Sequence, residues 1–80
     1  MATVNVNILD MEKELFKGAC DIAIFPGKEG ELAVLPGHTR LVTPLRKGKI
    51  VLKTAKTEKT FAIERGFLYV DKKDVKVLVG

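Results

Sequence analysis

His38 is the chain's single histidine, and it stands in Pro36-Gly37-His38-Thr39. An imidazole can act as a general base or a metal ligand, but each role needs partners. There is no second histidine, only one cysteine and no serine. A nucleophile triad therefore has no support, and a zinc site would have to be completed by carboxylates alone. Following a turn, His38 is expected to cap backbone groups or touch a partner. Glu29 and Glu31 lie too close in sequence, with no other carboxylate nearby, to suggest an acid–base pair. Glu31 stands just before an apolar strand, as a solvated turn carboxylate or a contact for a polar or basic partner loop. Gly27-Lys28-Glu29-Gly30-Glu31 lacks the Gly-Lys-Ser/Thr ending and the following helix of a phosphate loop. Its glycines read instead as positive-φ turn residues. Cys20 has no partner for a disulfide and reads as a small core residue. No catalytic residue, cofactor site or metal site is expected.

These side chains must be placed by a small scaffold. Eighty residues allow one domain, residues 1–80, which buries only about 60–65% of the surface its unfolded chain exposes. The core must be thin, and part of the apolar surface is available to a partner. The composition is globular, 46% hydrophobic and 30% charged. No apolar run approaches the roughly 18 residues of a membrane span. Met1 to Asp10 carries no signal-peptide pattern, which suggests a cytoplasmic protein or a domain cut from one. The net charge is +4, and eight of the fourteen basic residues lie from Arg46 to Lys72, interspersed with apolar positions. They read as solvated strand faces and edge-protecting lysines. The alternative is a weak surface for an anionic partner, nucleic acid or lipid headgroups.

Period-two patterning dominates. Val4, Val6 and Ile8 alternate with Asn5 and Asn7. Glu14 to Lys17 reads as a brief strand ended by Gly18, and Cys20, Ile22 and Ile24 form one alternating run. Short strands follow at Glu31–Leu35 and Leu41–Leu45, where Pro44 calls for an edge or a bulge. Pro36-Gly37 fits a type II turn. Ile50 and Leu52 share a face, Ala55 to Lys59 forms a hairpin tip, Phe61 and Ile63 follow, and Phe61 and Phe67 have core parity. Phe67–Val70 and Val75–Val79 are the last strands. The chain stops at Gly80 directly after a strand, which looks like a domain boundary. Eight to ten strands of this length predict an all-β fold, a flattened β-sandwich or barrel of about ten short strands.

Taken together, Gly27-Lys28-Glu29-Gly30-Glu31-Leu32-Ala33-Val34-Leu35-Pro36-Gly37-His38-Thr39-Arg40-Leu41-Val42-Thr43 closely resembles the signature of the ATP synthase epsilon subunit. That signature reads Gly-x-x-Gly-Glu-Leu, two apolar residues, Pro-Gly-His, and a later apolar pair before threonine. Leu15-Phe16-Lys17-Gly18, Lys47-Gly48, Gly66-Phe67-Leu68-Tyr69-Val70 and Val75-Lys76-Val77-Leu78 resemble further elements of that family, in order. Arg65 departs from a usual small residue and Tyr69 from a common glutamate; a tyrosine there adds apolar surface to a sheet face.

The resemblance implies a non-catalytic central-stalk domain, a flattened ten-stranded sandwich sitting on the gamma subunit and against the polar loops of the c ring. It implies that Glu31 faces the c ring, and that His38, Thr43 and, more loosely, Asp10 lie close to gamma. Leu35, Val42 and Leu45 are candidate apolar contacts. The two C-terminal helices usual in the family are absent from the sequence, so their regulatory role is not carried over. The rival reading is a small basic β-barrel that binds nucleic acid through exposed aromatics among basic residues.

Overall fold

The computed structural model describes residues 3–37, 40–72 and 74–80. Nine strands account for most of them: β1 (Val4–Leu9), β2 (Glu14–Cys20), β3 (Ile22–Gly27), β4 (Gly30–Val34), β5 (Leu41–Leu45), β6 (Gly48–Lys53), β7 (Glu58–Ile63), β8 (Gly66–Asp71) and β9 (Asp74–Val79). They form one curled sheet in the order β2-β1-β9-β8-β5-β3-β6-β7, with β4 paired to β3. All pairings are antiparallel except β1 with β9. The link between β5 and β3 is a single residue pair, Gly27 with Leu45. The sheet therefore folds there into two layers, β2-β1-β9-β8-β5 and β4-β3-β6-β7, and the expected all-β sandwich is what forms.

The core between the layers is wholly apolar among the described residues. Val4, Val6 and Ile8 from β1, Leu68 and Val70 from β8, and Val75, Val77 and Val79 from β9 face Ala23, Phe25, Ile50 and Leu52 from the other layer. Alternating burial along these strands follows from the two-residue side-chain period. The two outermost strands meet through side chains: the Phe16 ring of β2 lies 5.7 Å from the Phe61 ring of β7 at 58°. The Lys59 ammonium stands 5.2 Å from the Phe16 ring centre, a cation–π arrangement over this seam.

Four expectations about the strands need correction. Gly18 does not end β2, which runs on to Cys20. It sits at an inward position opposite Val6, and Phe16 Cζ lies 3.0 Å from where a Cβ would stand, so the ring occupies the space a side chain would fill. Cys20 is buried as expected, but Ile22 and Ile24 do not share its face. The chain bends at Asp21, whose amide donates to the Lys53 carbonyl at 2.8 Å, and passes into the other layer. That bend resets the parity, so Ala23 and Phe25 point inward and Ile22 and Ile24 outward, half-buried. Phe67 is not a core residue: it is 51% exposed, and Leu68 and Val70 carry the core parity of β8. The hairpin tip after β6 is also shorter than expected, because β7 already begins at Glu58.

The turns obey their chemistry. Gly37 has φ 82°, the value the third residue of a type II turn after proline requires. Gly30, at φ 141°, closes the two-residue β3–β4 hairpin in a region side chains rarely enter. Gly27, by contrast, has no positive φ. Its glycine is required by approach, since a Cβ would stand 2.6 Å from the Gly30 carbonyl oxygen. Pro44 lies on β5 where pairing to β3 has dwindled to one residue, and its carbonyl accepts the Lys28 amide at 3.0 Å.

Candidate docking surface

The outward face of the first layer is ordered in rows, because register aligns residues straight across neighbouring strands. Leu9 pairs with Leu78, Leu78 with Phe67, and Phe67 with Pro44. This row is apolar across four strands. Phe67 and Leu78 are 51% and 40% exposed within it. The next row reads Lys17, Asn7, Lys76, Tyr69 and Val42, with Val42 65% exposed. The third reads Ala19, Asn5, Asp74 and Asp71, with Arg40 Nε donating to Asp71 Oδ1 at 3.0 Å. The face grades from apolar to charged along the strands. Large exposed side chains gathered in register on one face mark an interaction surface rather than scattered exposure.

Three of the four anticipated contact residues fall among the described residues, and they do not gather on this face. Asp10 follows β1 at the apolar end. Its Oδ1 accepts the amides of Glu12 and Lys13, each at 2.7 Å, while its own amide donates to the Lys13 carbonyl at 2.9 Å. Those two backbone donors hold the Asp10 carboxyl below the usual aspartate range. Asp10 is thus occupied in capping its own loop, and the side chain the loop presents is Met11, 96% exposed. Glu31 is exposed on β4, opposite Pro26. The Lys28–Pro44 bond brings its hairpin to the same end of the sandwich as Asp10. Thr43 has the inward parity of β5, opposite buried Leu68, and is half-buried. His38 lies outside the described residues. Of the three expected apolar contacts, Leu35 and Val42 are exposed, whereas Leu45 is 4% exposed and belongs to the core.

Because the Asp10 pKa is depressed on folding, its contribution to stability is complete above the unfolded aspartate pKa. It is lost as pH falls through the lowered folded value. We expect an NMR titration to place the Asp10 carboxyl midpoint below the usual aspartate range. Amide exchange at Glu12 and Lys13 should quicken only once that midpoint is passed. A midpoint at or above the ordinary value would contradict the loop-capping role. Asp71 is lowered in the same direction, first by the Arg40 hydrogen bond and then by the Lys72 amide. Its pair with Arg40 is largely solvent-exposed, so it contributes little to stability.

Among the described residues there is no group of three side chains suited to a metal ion. The chemistry on display is that of a surface, and the molecule is of the class of small β-sandwich domains whose distinguishing features are on their faces. Residues 3–80 match the model of the β-sandwich domain of the ATP synthase delta/epsilon chain, and the chain belongs to that family. It is 40% identical over 80 residues to an ATP synthase epsilon chain of Xanthomonas campestris, covering 99% of this chain and 57% of that relative. It is 37% identical over 78 residues to one of Caulobacter vibrioides, covering 98% of this chain and 91% of that relative. The chain thus spans little more than half the length of the Xanthomonas relatives and most of the Caulobacter one. The fold is shared with a chain of the Euglena gracilis mitochondrial ATP synthase, in a structure of its OSCP, F1 and c-ring, at TM-score 0.91 and 20% identity over 99% of this chain and 51% of that one. It is also shared with a chain of the Tetrahymena thermophila central stalk and c-ring, at TM-score 0.76 and 13% identity over 95% and 62%.

Proposed function

We propose that this chain is a non-catalytic central-stalk subunit of an F-type ATP synthase. It docks on the gamma subunit and the c-ring polar loops, and so helps couple ion translocation to ATP synthesis. In this reading it is peripheral to the membrane, on the cytoplasmic face of a bacterial plasma membrane as part of the F1 sector. The observation that carries the reading is the family match over residues 3–80. The apolar row Leu9–Leu78–Phe67–Pro44 supplies the kind of surface an obligate partner covers, and the two-layer sheet supplies a body stiff enough to transmit torque. The rival reading, a nucleic-acid-binding barrel, needs aromatics interleaved with basic residues. Here only Phe67 and Tyr69 are exposed aromatics: Phe67 stands between apolar Leu78 and Pro44, and Tyr69 alone has a basic cross-strand neighbour, Lys76.

A purified gamma–c-ring assembly is expected to retain the chain on co-sedimentation, and failure to bind would sink the proposal. Glu31 is exposed, so Glu31→Lys should change stability by no more than about 0.5 kcal/mol. In a reconstituted complex it is expected to lower ATP-driven ion pumping relative to ATP hydrolysis. Unaltered coupling in that variant would remove Glu31 from the c-ring contact.

A further inference from the structure

The second row of the exposed face has a composition that the docking reading does not by itself explain. Lys17 and Lys76 flank Asn7 in register, from β2 and β9. With strands about 4.8 Å apart, the two lysine backbones are roughly 10 Å apart, within converging reach of two long side chains. The row forms part of the floor of a depression of about 1060 Å³ that also includes Tyr69 and Val42. The nearby carboxylates do not pair with these lysines. Asp71 accepts from Arg40 and from the Lys72 amide, and Asp74 accepts from Asn5 Nδ2 at 3.4 Å. Lys17 and Lys76 enter no ion pair among the described residues. Asn7 Oδ1 is buried with no hydrogen-bond partner among the described residues, which is costly for a side-chain oxygen.

We propose that this row receives a carboxylate from the gamma segment seated on the face, held between Lys17 and Lys76 above Asn7. The inference rests on the docking reading above and adds the chemistry of the partner. Each ammonium has three donors. A carboxylate that draws them over Asn7 leaves a donor for the stranded Oδ1, so one bound group satisfies both cations and the asparagine. The apolar row lies two residues along each strand, about 7 Å away. The partner segment therefore carries an acidic side chain at that distance from the apolar side chains that cover Phe67 and Leu78. The charge fixes the register and orientation of docking, while the apolar row supplies most of the affinity.

The test is binding of the full chain to purified gamma subunit at low and high salt, with melting temperature followed in parallel. Lys17→Glu/Lys76→Glu is expected to weaken binding about tenfold or more at low salt and to flatten its salt dependence, with no loss of folding. Reversing the matching acidic residue of gamma to lysine should restore binding to the double variant. Wild-type affinity in the double variant, alongside lost binding in Val42→Asp, would overturn the carboxylate while leaving the docking face intact. No binding of the wild-type chain to gamma would overturn both.

Discussion

Phe67→Asp is expected to weaken binding to the gamma subunit by roughly 30- to 1,000-fold while leaving the domain folded. Phe67 is half-exposed at the middle of the apolar row, between Leu78 on β9 and Pro44 on β5. A central aromatic anchor covered by a partner is worth about 2–4 kcal/mol on truncation, and each 1.4 kcal/mol is tenfold. The aspartate adds a desolvation cost, because its charge would be buried among leucines and proline with no cation in the row. The folded domain bears little of this. The side chain points to solvent, Leu68 and Val70 continue to fill the core from the same strand, and the loss of strand propensity is about 1 kcal/mol at most. Isothermal titration against gamma, paired with a thermal melt, separates the two effects. Phe67→Leu should retain most of the affinity. Undiminished binding of the aspartate variant would show that gamma does not sit on this face.

Phe67 is also where sequence and structure part most usefully. In Gly66-Phe67-Leu68-Tyr69-Val70 both faces of the strand are apolar, so alternation alone cannot say which face is inside. The register of β9 decides it: Val75, Val77 and Val79 pair with Val70, Leu68 and Gly66, and only one parity of β8 can join that valine stripe. Strands with one polar face were fully legible, as Val4, Val6 and Ile8 against Asn5 and Asn7 show. The inverted parity of Ile22 and Ile24 has a different origin. A one-residue bend at Asp21 leaves no signature in hydrophobic period, because the bond that holds it runs to Lys53, distant in sequence. The site shows the same division. Val42 and Leu35 were readable as exposed contacts beside turns. The row Leu9–Leu78–Phe67–Pro44 was not, because it exists only once four strands distant in sequence are set in register. Asp10 was legible as a polar residue at a strand end, but its role in capping its own loop depends on backbone geometry that residue type does not carry.

Phe25→Ala should be the most damaging single truncation in the core. Phe25 is fully buried on β3, opposite Leu32 on β4. Its inward neighbours along the strand are Ala23 and Gly27, so this one ring fills most of the inner surface of β3. The side chains of the core are largely β-branched, Val34 and Ile50 among them, and their stiff χ1 angles limit collapse into the space. A phenylalanine-to-alanine change in such a site costs about 3–5 kcal/mol. Domains of this kind hold roughly 0.05–0.15 kcal/mol per residue, or about 4–12 kcal/mol for a chain this size. The variant would therefore lose much of its stability, and its melting temperature should fall by more than about 12 °C. The mechanical consequence follows from topology. β3 bonds to β4 and β6 and, through Gly27, to β5, so it is the strand through which the two layers are joined. A cavity there loosens the joint between the face proposed to dock gamma and the hairpin that carries Glu31, and coupling should fall before binding does. Urea unfolding gives the stability change, and Phe25→Leu should lose distinctly less. A loss below about 1.5 kcal/mol for Phe25→Ala would mean that the layers close over the gap, and that the stiffness of the sandwich does not depend on this ring.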